Sequence, residues 1–167
     1  QVMDRKGKES RVISSKLDRS ISGAVWAPDS KGLYVQYNDL GHTKLGYISL
    51  GGDLTEIVDN VGGTSLGRPY ASGSFSVSEN ETLAYTLSFP DRPADVATVT
   101  KSKKKPEILT GLNEDLLPYK QMATLNEIWY KSSVDGRKIQ GWVMYPPNFE
   151  KRRDYPLIVE NHGGPIL

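Results

Sequence analysis

Residues 22–58 read SGAVWAPDSKGLYVQYNDLGHTKLGYISLGGDLTEIV, and residues 72–109 read SGSFSVSENETLAYTLSFPDRPADVATVTKSKKKPEIL. The two stretches align at an offset of about 50 residues, the scale of a repeated supersecondary unit. Gly23 falls on Gly73, Asp29 on Glu79 and Leu33 on Leu83. Further along, Glu56-Ile57-Val58 falls on Glu107-Ile108-Leu109 after a one-residue shift.

Each copy predicts four short strands. In the first they are Gly23–Trp26, Leu33–Tyr37, Lys44–Leu50 and Leu54–Val58, with a turn at Pro28–Gly32 and a loop over Asn38–Thr43. Val35 and Tyr37 alternate with Gln36, the period of a half-buried strand. The second copy gives Phe75–Val77, Thr82–Leu87, Asp95–Thr100 and Glu107–Leu109. Four strands per unit at this spacing is the pattern of β-propeller blades. Two blades cannot close a ring, because each blade buries its faces against neighbours on both sides. The reading is therefore of the last blades of a larger ring, with SRVISSKL before Ser20 as the last strand of an earlier blade.

After Thr110 the character changes. GLNEDLLPYKQMATLNE, residues 111–127, is polar with a short apolar run and reads as a linker. Asp135-Gly136 then predicts a hairpin between two strand-like runs. Tyr145-Pro146-Pro147 ends the second run, because proline cannot continue a central strand. Leu157–Val159 predicts a short buried strand that delivers His162-Gly163-Gly164-Pro165. Three tryptophans, Trp26, Trp129 and Trp142, fall on strand faces and are expected in cores.

The ordered set of motifs carries a resemblance. It runs from WAPDSKG at 26–32, through LNE at 125–127 and VDGRKIQGWVMYPP at 134–147, to YPLIVENHGGP at 155–165. This order resembles the prolyl oligopeptidase family of serine peptidases, in its acylaminoacyl-peptidase and dipeptidyl-peptidase-like branch, over nearly the whole chain. The resemblance implies blades and linker over 1–120, with repeats at about 21–70 and 71–110. It implies the first strands of an α/β-hydrolase domain over 121–167. The fold class expected is thus mainly β here: propeller blades, then the start of a hydrolase domain. Both ends of the sequence read as interior to a longer chain.

In such hydrolases an HGG turn supplies a backbone N–H to the oxyanion hole. Glycine suits the turn because a substrate carbonyl must approach the main chain, and the N–H stabilises the tetrahedral oxyanion. The resemblance assigns that N–H to Gly164, with His162 and Gly163 shaping the turn. It places the Ser-Asp-His triad beyond Leu167, which makes this stretch inactive by itself. Gly63-Thr64-Ser65-Leu66-Gly67 also matches G-x-S-x-G, the nucleophile pattern. A nucleophile elbow opens a helix, however, and Arg68-Pro69 and Gly73 oppose one. The nucleophile must also follow HGG in this fold. Ser65 is read as a coincidental match. Arg68 and Tyr70 lie in the same glycine-rich loop, where arginine's forked donors would suit a peptide carbonyl or carboxylate. A structural interblade connection is the plainer reading of both.

Composition closes off other classes. The chain has 167 residues, of which 37% are hydrophobic and 25% charged, with a net charge of +1. Bulk charge offers no nucleic-acid partner, and KSKKKP at 101–106 reads as a solvated turn that discourages edge pairing. No apolar run is long enough to insert in a membrane. There is no cysteine and there are two histidines, His42 and His162, so neither a disulfide nor a structural metal site is expected. No cofactor is called for. The expected partner is a peptide, with self-association through exposed strand edges. The sequence does not fix the compartment. A non-catalytic propeller scaffold is the competing reading, which the hairpin and HGGP oppose. An esterase or lipase is another, which the blades oppose.

Overall fold

The computed structural model describes residues 1–63 and 73–161. Its regular structure is almost wholly β. Strands β1 (Val2–Met3) and β2 (Ser10–Arg11) form a short antiparallel pair. Strands β3 (Ile21–Trp26), β4 (Gly32–Asp39), β5 (His42–Ser49) and β6 (Leu54–Val58) form a four-stranded antiparallel meander in chain order. Strands β7 (Phe75–Val77), β8 (Thr82–Phe89), β9 (Arg92–Thr100) and β10 (Glu107–Ile108) form a second one with the same topology. A single 3-10 turn at Leu117–Tyr119 interrupts the segment that follows. Strands β11 (Thr124–Lys131) and β12 (Lys138–Tyr145) pair as a two-stranded ribbon.

The eight strands expected from the repeat are all present, with small shifts at their ends. The loop expected over Asn38–Thr43 is tighter: β4 and β5 run up to Leu40-Gly41, whose φ values are 50° and 76°. Positive φ at both positions marks a type I′ turn, whose twist matches that of the flanking strands.

The β3–β4 and β7–β8 turns correct the repeat alignment. Asp29 Oδ1 accepts from Lys31 N at 2.9 Å, whereas Asn80, not Glu79, fills that position in the second copy by accepting from Thr82 N at 3.3 Å. Ser30 and Glu81 then take the same left-handed conformation, with φ of 58° and 61°. The second turn is one residue shorter, which displaces the alignment by one on its N-terminal side.

The two sheets share one apolar core. Tyr34, Leu45 and Tyr47 of the first meet Leu83, Tyr85, Leu87, Ala97 and Val99 of the second. Alternation sends Val35, Tyr37 and Ile48 to the opposite face, where Ile13, Leu17 and Val2 cover them. The stretch read as a strand at SRVISSKL is strand only at Ser10–Arg11; beyond it the chain turns so that Ile13 reaches this second core. Lys101 of the second sheet lies 3.7 Å from the Tyr47 ring centroid and 3.9 Å from Glu81. One lysine of the expected solvated turn therefore clips the sheets together through a cation–π contact. On the far side, Lys44 is held between Asp39 at 3.1 Å and Glu56 at 2.9 Å, and Arg19 adds a bond to Asp39 at 2.9 Å. Burial opposes the charge on Lys44, but its bonds to Glu56 and Asp39 prevail and raise its pKa.

Two expectations fail. The tryptophans are not core residues: Trp26, Trp129 and Trp142 are 51%, 48% and 42% exposed. Trp26 lies on an edge strand, and the β11–β12 ribbon has no second layer among the described residues. Leu157–Val159 forms no strand and is exposed. A strand needs a neighbour for its N–H and C=O groups, and none of the described residues runs beside it.

Leu83 is fully buried between the sheets, while Val96 sits on the outer face of the second sheet. Leu83→Ala should destabilise by about 2–5 kcal/mol, the range for a leucine cavity, and Val96→Ala by less than about 1 kcal/mol. Denaturant midpoints at unchanged slope measure both. Equal losses would contradict the shared core.

Candidate functional site

The residues proposed from sequence lie outside the described residues: Arg68 and Tyr70, with Ser65, fall within 64–72, and His162, Gly163 and Gly164 within 162–167. The segments that lead to them are described.

Strand β12 stops at Tyr145 because Pro146 and Pro147 follow, and proline offers no N–H to a ladder. Asn148 then turns the chain with φ of 58°, a conformation asparagine tolerates, and donates through Nδ2 to Gln121 Oε1 at 2.9 Å. Tyr145, Phe149 and Tyr155 stack in series, with centroids 4.4 and 5.1 Å apart. The Tyr155 hydroxyl accepts from Glu150 N at 3.0 Å. This aromatic series returns the chain to the end of β12 and sets where Pro156–Asn161 starts toward His162.

The flanks of 64–72 are anchored on the second sheet. Gly62 N donates to Thr86 O at 3.1 Å, and Ser74 N to Thr86 Oγ1 at 3.0 Å. Val61 bridges to Leu87. Gly73 lies so close to Val61 and Gly62 that a Cβ would collide with both. The two ends of the loop thus meet near Thr86, at the end of the sheet where β8 turns into β9.

At that same end a cleft of about 290 Å³ opens between the β8–β9 turn and the 3-10 segment, lined by Asp91, Arg92, Glu114, Leu117, Lys120 and Met122 among others. Arg92 pairs with Glu114 at 3.3 Å. Asp95, buried at the start of β9, holds the segment in place: it accepts from Thr110 Oγ1 at 2.7 Å and Leu112 N at 3.0 Å. The Leu112 N–H and then the Thr110 hydroxyl pull its carboxyl below the usual carboxylate range, against the effect of desolvation, and Arg92 adds to the pull. Charges of both signs suit the cleft to polar or charged groups. Sequence reasoning missed it. Arg92 and Glu114 are 22 residues apart, and each looks like an ordinary turn charge. Among the described residues no three His, Asp or Glu side chains gather as metal ligands, and no helix is long and apolar enough to cross a membrane.

No protein-family model matches the chain. Sequence relatives do. Peptidase YuxL of Bacillus subtilis is 33% identical over 155 residues, which cover 90% of this chain and 22% of the relative. Dipeptidyl-peptidase 5 of Porphyromonas gingivalis is 31% identical over 160 residues, covering 95% of this chain and 22% of the relative. Over most of its length the chain is thus similar to these peptidases. It spans about a fifth of the length of these relatives. Among solved structures, a prolyl endopeptidase matches with a TM-score of 0.44 at 15% identity, over 79% of this chain and 18% of its own.

The Asp95 anchor has a pH signature. A depressed folded pKa means that the carboxylate stabilises the fold above its unfolded value near 4, and that this stability is lost as pH falls through the folded value. Asp95→Asn should cost about 1 kcal/mol at pH 7 by weakening two charge-assisted hydrogen bonds. The gap between wild type and variant should close as pH falls below about 4. Denaturation midpoints at pH 7 and pH 3 test this, and a gap independent of pH would show that the charge is not what holds the segment.

Proposed function

We propose that this chain is the stretch of a serine peptidase in which propeller blades pass into an α/β-hydrolase domain. The blades are the repeats at about 21–70 and 71–110, followed by a linker, with the hydrolase domain beginning near 121. The observation that carries the reading is the similarity to peptidase relatives over nine-tenths of the chain or more, beside the ordered run of motifs in the sequence. The two stacked four-stranded meanders support it.

On this reading the whole protein hydrolyses short peptides, and the propeller limits access to them. Gly164 N–H is the first oxyanion donor, with His162 and Gly163 holding the turn. The donor acts on charge that develops at the attacked carbonyl, so it favours the transition state over the substrate. Arg68 and Tyr70 face the substrate from the loop that starts and ends near Thr86. Arg68 would bind a carbonyl or carboxylate through its fork. Serine, aspartate and histidine of the triad lie outside this chain, which alone is inactive.

Gly164→Pro in the complete peptidase removes one oxyanion donor and should lower kcat by about 100- to 1,000-fold. Circular dichroism must show that the variant remains folded. A folded variant with full turnover would dismiss the role.

Labelling with a fluorophosphonate, followed by peptide mapping, examines the nucleophile. The complete protein should carry the label at a serine outside this chain. Ser65→Ala should retain most of its activity. Label on Ser65, with activity lost in the alanine variant, would overturn the reading.

A further inference from the structure

The β7–β8 turn carries the tripeptide Asn80-Glu81-Thr82. Asparagine, any residue but proline, then threonine is the acceptor pattern for N-linked glycosylation. No other asparagine of the chain is followed two residues later by serine or threonine. Three residues can match by chance, so the local geometry has to decide. Asn80 is exposed, at the tip of the turn.

The turn fixes which way the Asn80 amide points. Asn80 Oδ1 accepts from Ser78 Oγ at 2.5 Å and from Thr82 N at 3.3 Å. A backbone N–H can only donate, so the amide oxygen must face it and Nδ2 must face away. Among the described residues Nδ2 takes part in no hydrogen bond. The turn is closed further by Ser78 N on Thr82 O and Glu81 N on Ser78 O, each at 3.0 Å. None of these bonds uses the amide nitrogen. Glycosylation substitutes that nitrogen and keeps the carbonyl, so a modified Asn80 retains every bond of its turn.

The first sheet supplies the contrast. Asp29 fills the same place in the β3–β4 turn and bonds in the same way to the N–H two residues on, yet its carboxylate has no nitrogen to substitute. One capping geometry serves both copies, and only the second makes it an acceptor. Every contact used here lies within the turn itself. The eight residues of β8 put about 25 Å between this turn and the β8–β9 end. A glycan on Asn80 therefore stands clear of Thr86 and Arg92.

We propose that Asn80 is a modification site that takes an N-linked oligosaccharide. The donor is a lipid-linked pyrophosphate oligosaccharide, held by a transferase that reads the Thr82 hydroxyl. Asn80 Nδ2 attacks the anomeric carbon of the sugar. The new N–C bond forms as the bond from that carbon to the pyrophosphate oxygen breaks. Nδ2 gives up one proton, and the lipid pyrophosphate leaves with the electron pair. The inference rests on the turn and not on the peptidase reading.

The test secretes the complete protein from yeast behind a yeast leader, with a second acceptor tripeptide appended at its C-terminus as a control. Digestion with peptide N-glycosidase in heavy-oxygen water leaves a labelled aspartate wherever a glycan stood, and mass spectrometry reads both positions. Wild type should carry the label at position 80 and at the appended acceptor. Thr82→Val keeps a strand-forming side chain and removes the hydroxyl. It should lose the label at position 80 and keep it at the control, and Asn80→Asp should do the same. A bare Asn80 beside an occupied control would overturn the proposal. So would a label at position 80 that survives Thr82→Val, because the transferase would then not be reading this tripeptide.

Discussion

The apposition of Tyr34 and Tyr47 on Leu83 and Val99 is the contact on which the rest of this structure depends. A four-stranded meander has two faces, and an antiparallel sheet is stable with one of them wet. The first sheet instead buries both, one on its neighbour and one on the N-terminal segment. That double burial fixes its register, because a slip of one residue would exchange the two faces. The cost is local. Tyr34 is fully buried with its hydroxyl unpaired, and desolvation with nearby Glu81 pushes its pKa up to about 12. The edge-on contact of its ring with Tyr47, 5.3 Å between centroids, offsets part of that cost.

With the sheets stacked, the ends of the strands acquire different tasks. The β3–β4 and β7–β8 turns are closed by Asp29 and Asn80 and lie at one end. At the other end are Leu40-Gly41, the flanks of the 64–72 loop, the Arg92–Glu114 cleft and the segment held by Asp95. Among the described residues, the anchors of the 64–72 loop and the charged cleft thus share this second end. Antiparallel connectivity makes this unavoidable: the β4–β5 and β8–β9 turns and the crossing from one sheet to the next must share an end.

Much of this was legible in the sequence, for a physical reason. Thr82–Leu87 alternates cleanly because one face is packed, and Asp135-Gly136 marks a turn by its own chemistry. What the sequence obscured depended on partners remote along the chain. Asp29 was matched to Glu79 because the deletion of one turn residue leaves no mark in composition. The tryptophans were expected inside because indoles are costly to expose, yet among the described residues the ribbon that carries Trp129 and Trp142 has no layer above it. Leu157–Val159 has strand composition, but no neighbouring strand lies beside it among the described residues. For the candidate site the sequence was the richer source. HGGP and the Arg68 loop are visible as motifs, whereas Arg92, Glu114 and Asp95 are charges whose meaning appears only when the 3-10 segment folds over β9.

The bonds around Lys44 also govern its reactivity. An amine attacks acylating reagents only after losing a proton. Lys44 resists that loss because Glu56 and Asp39 hold its cation, and its side chain is only 12% exposed. Its neighbours in sequence offer no such shelter to the lysines of the β9–β10 turn, Lys103 to Lys105, which are exposed. The surface of this protein therefore divides its lysines into an open group, available to modifying enzymes and cross-linkers, and a silent one at the junction of three strands.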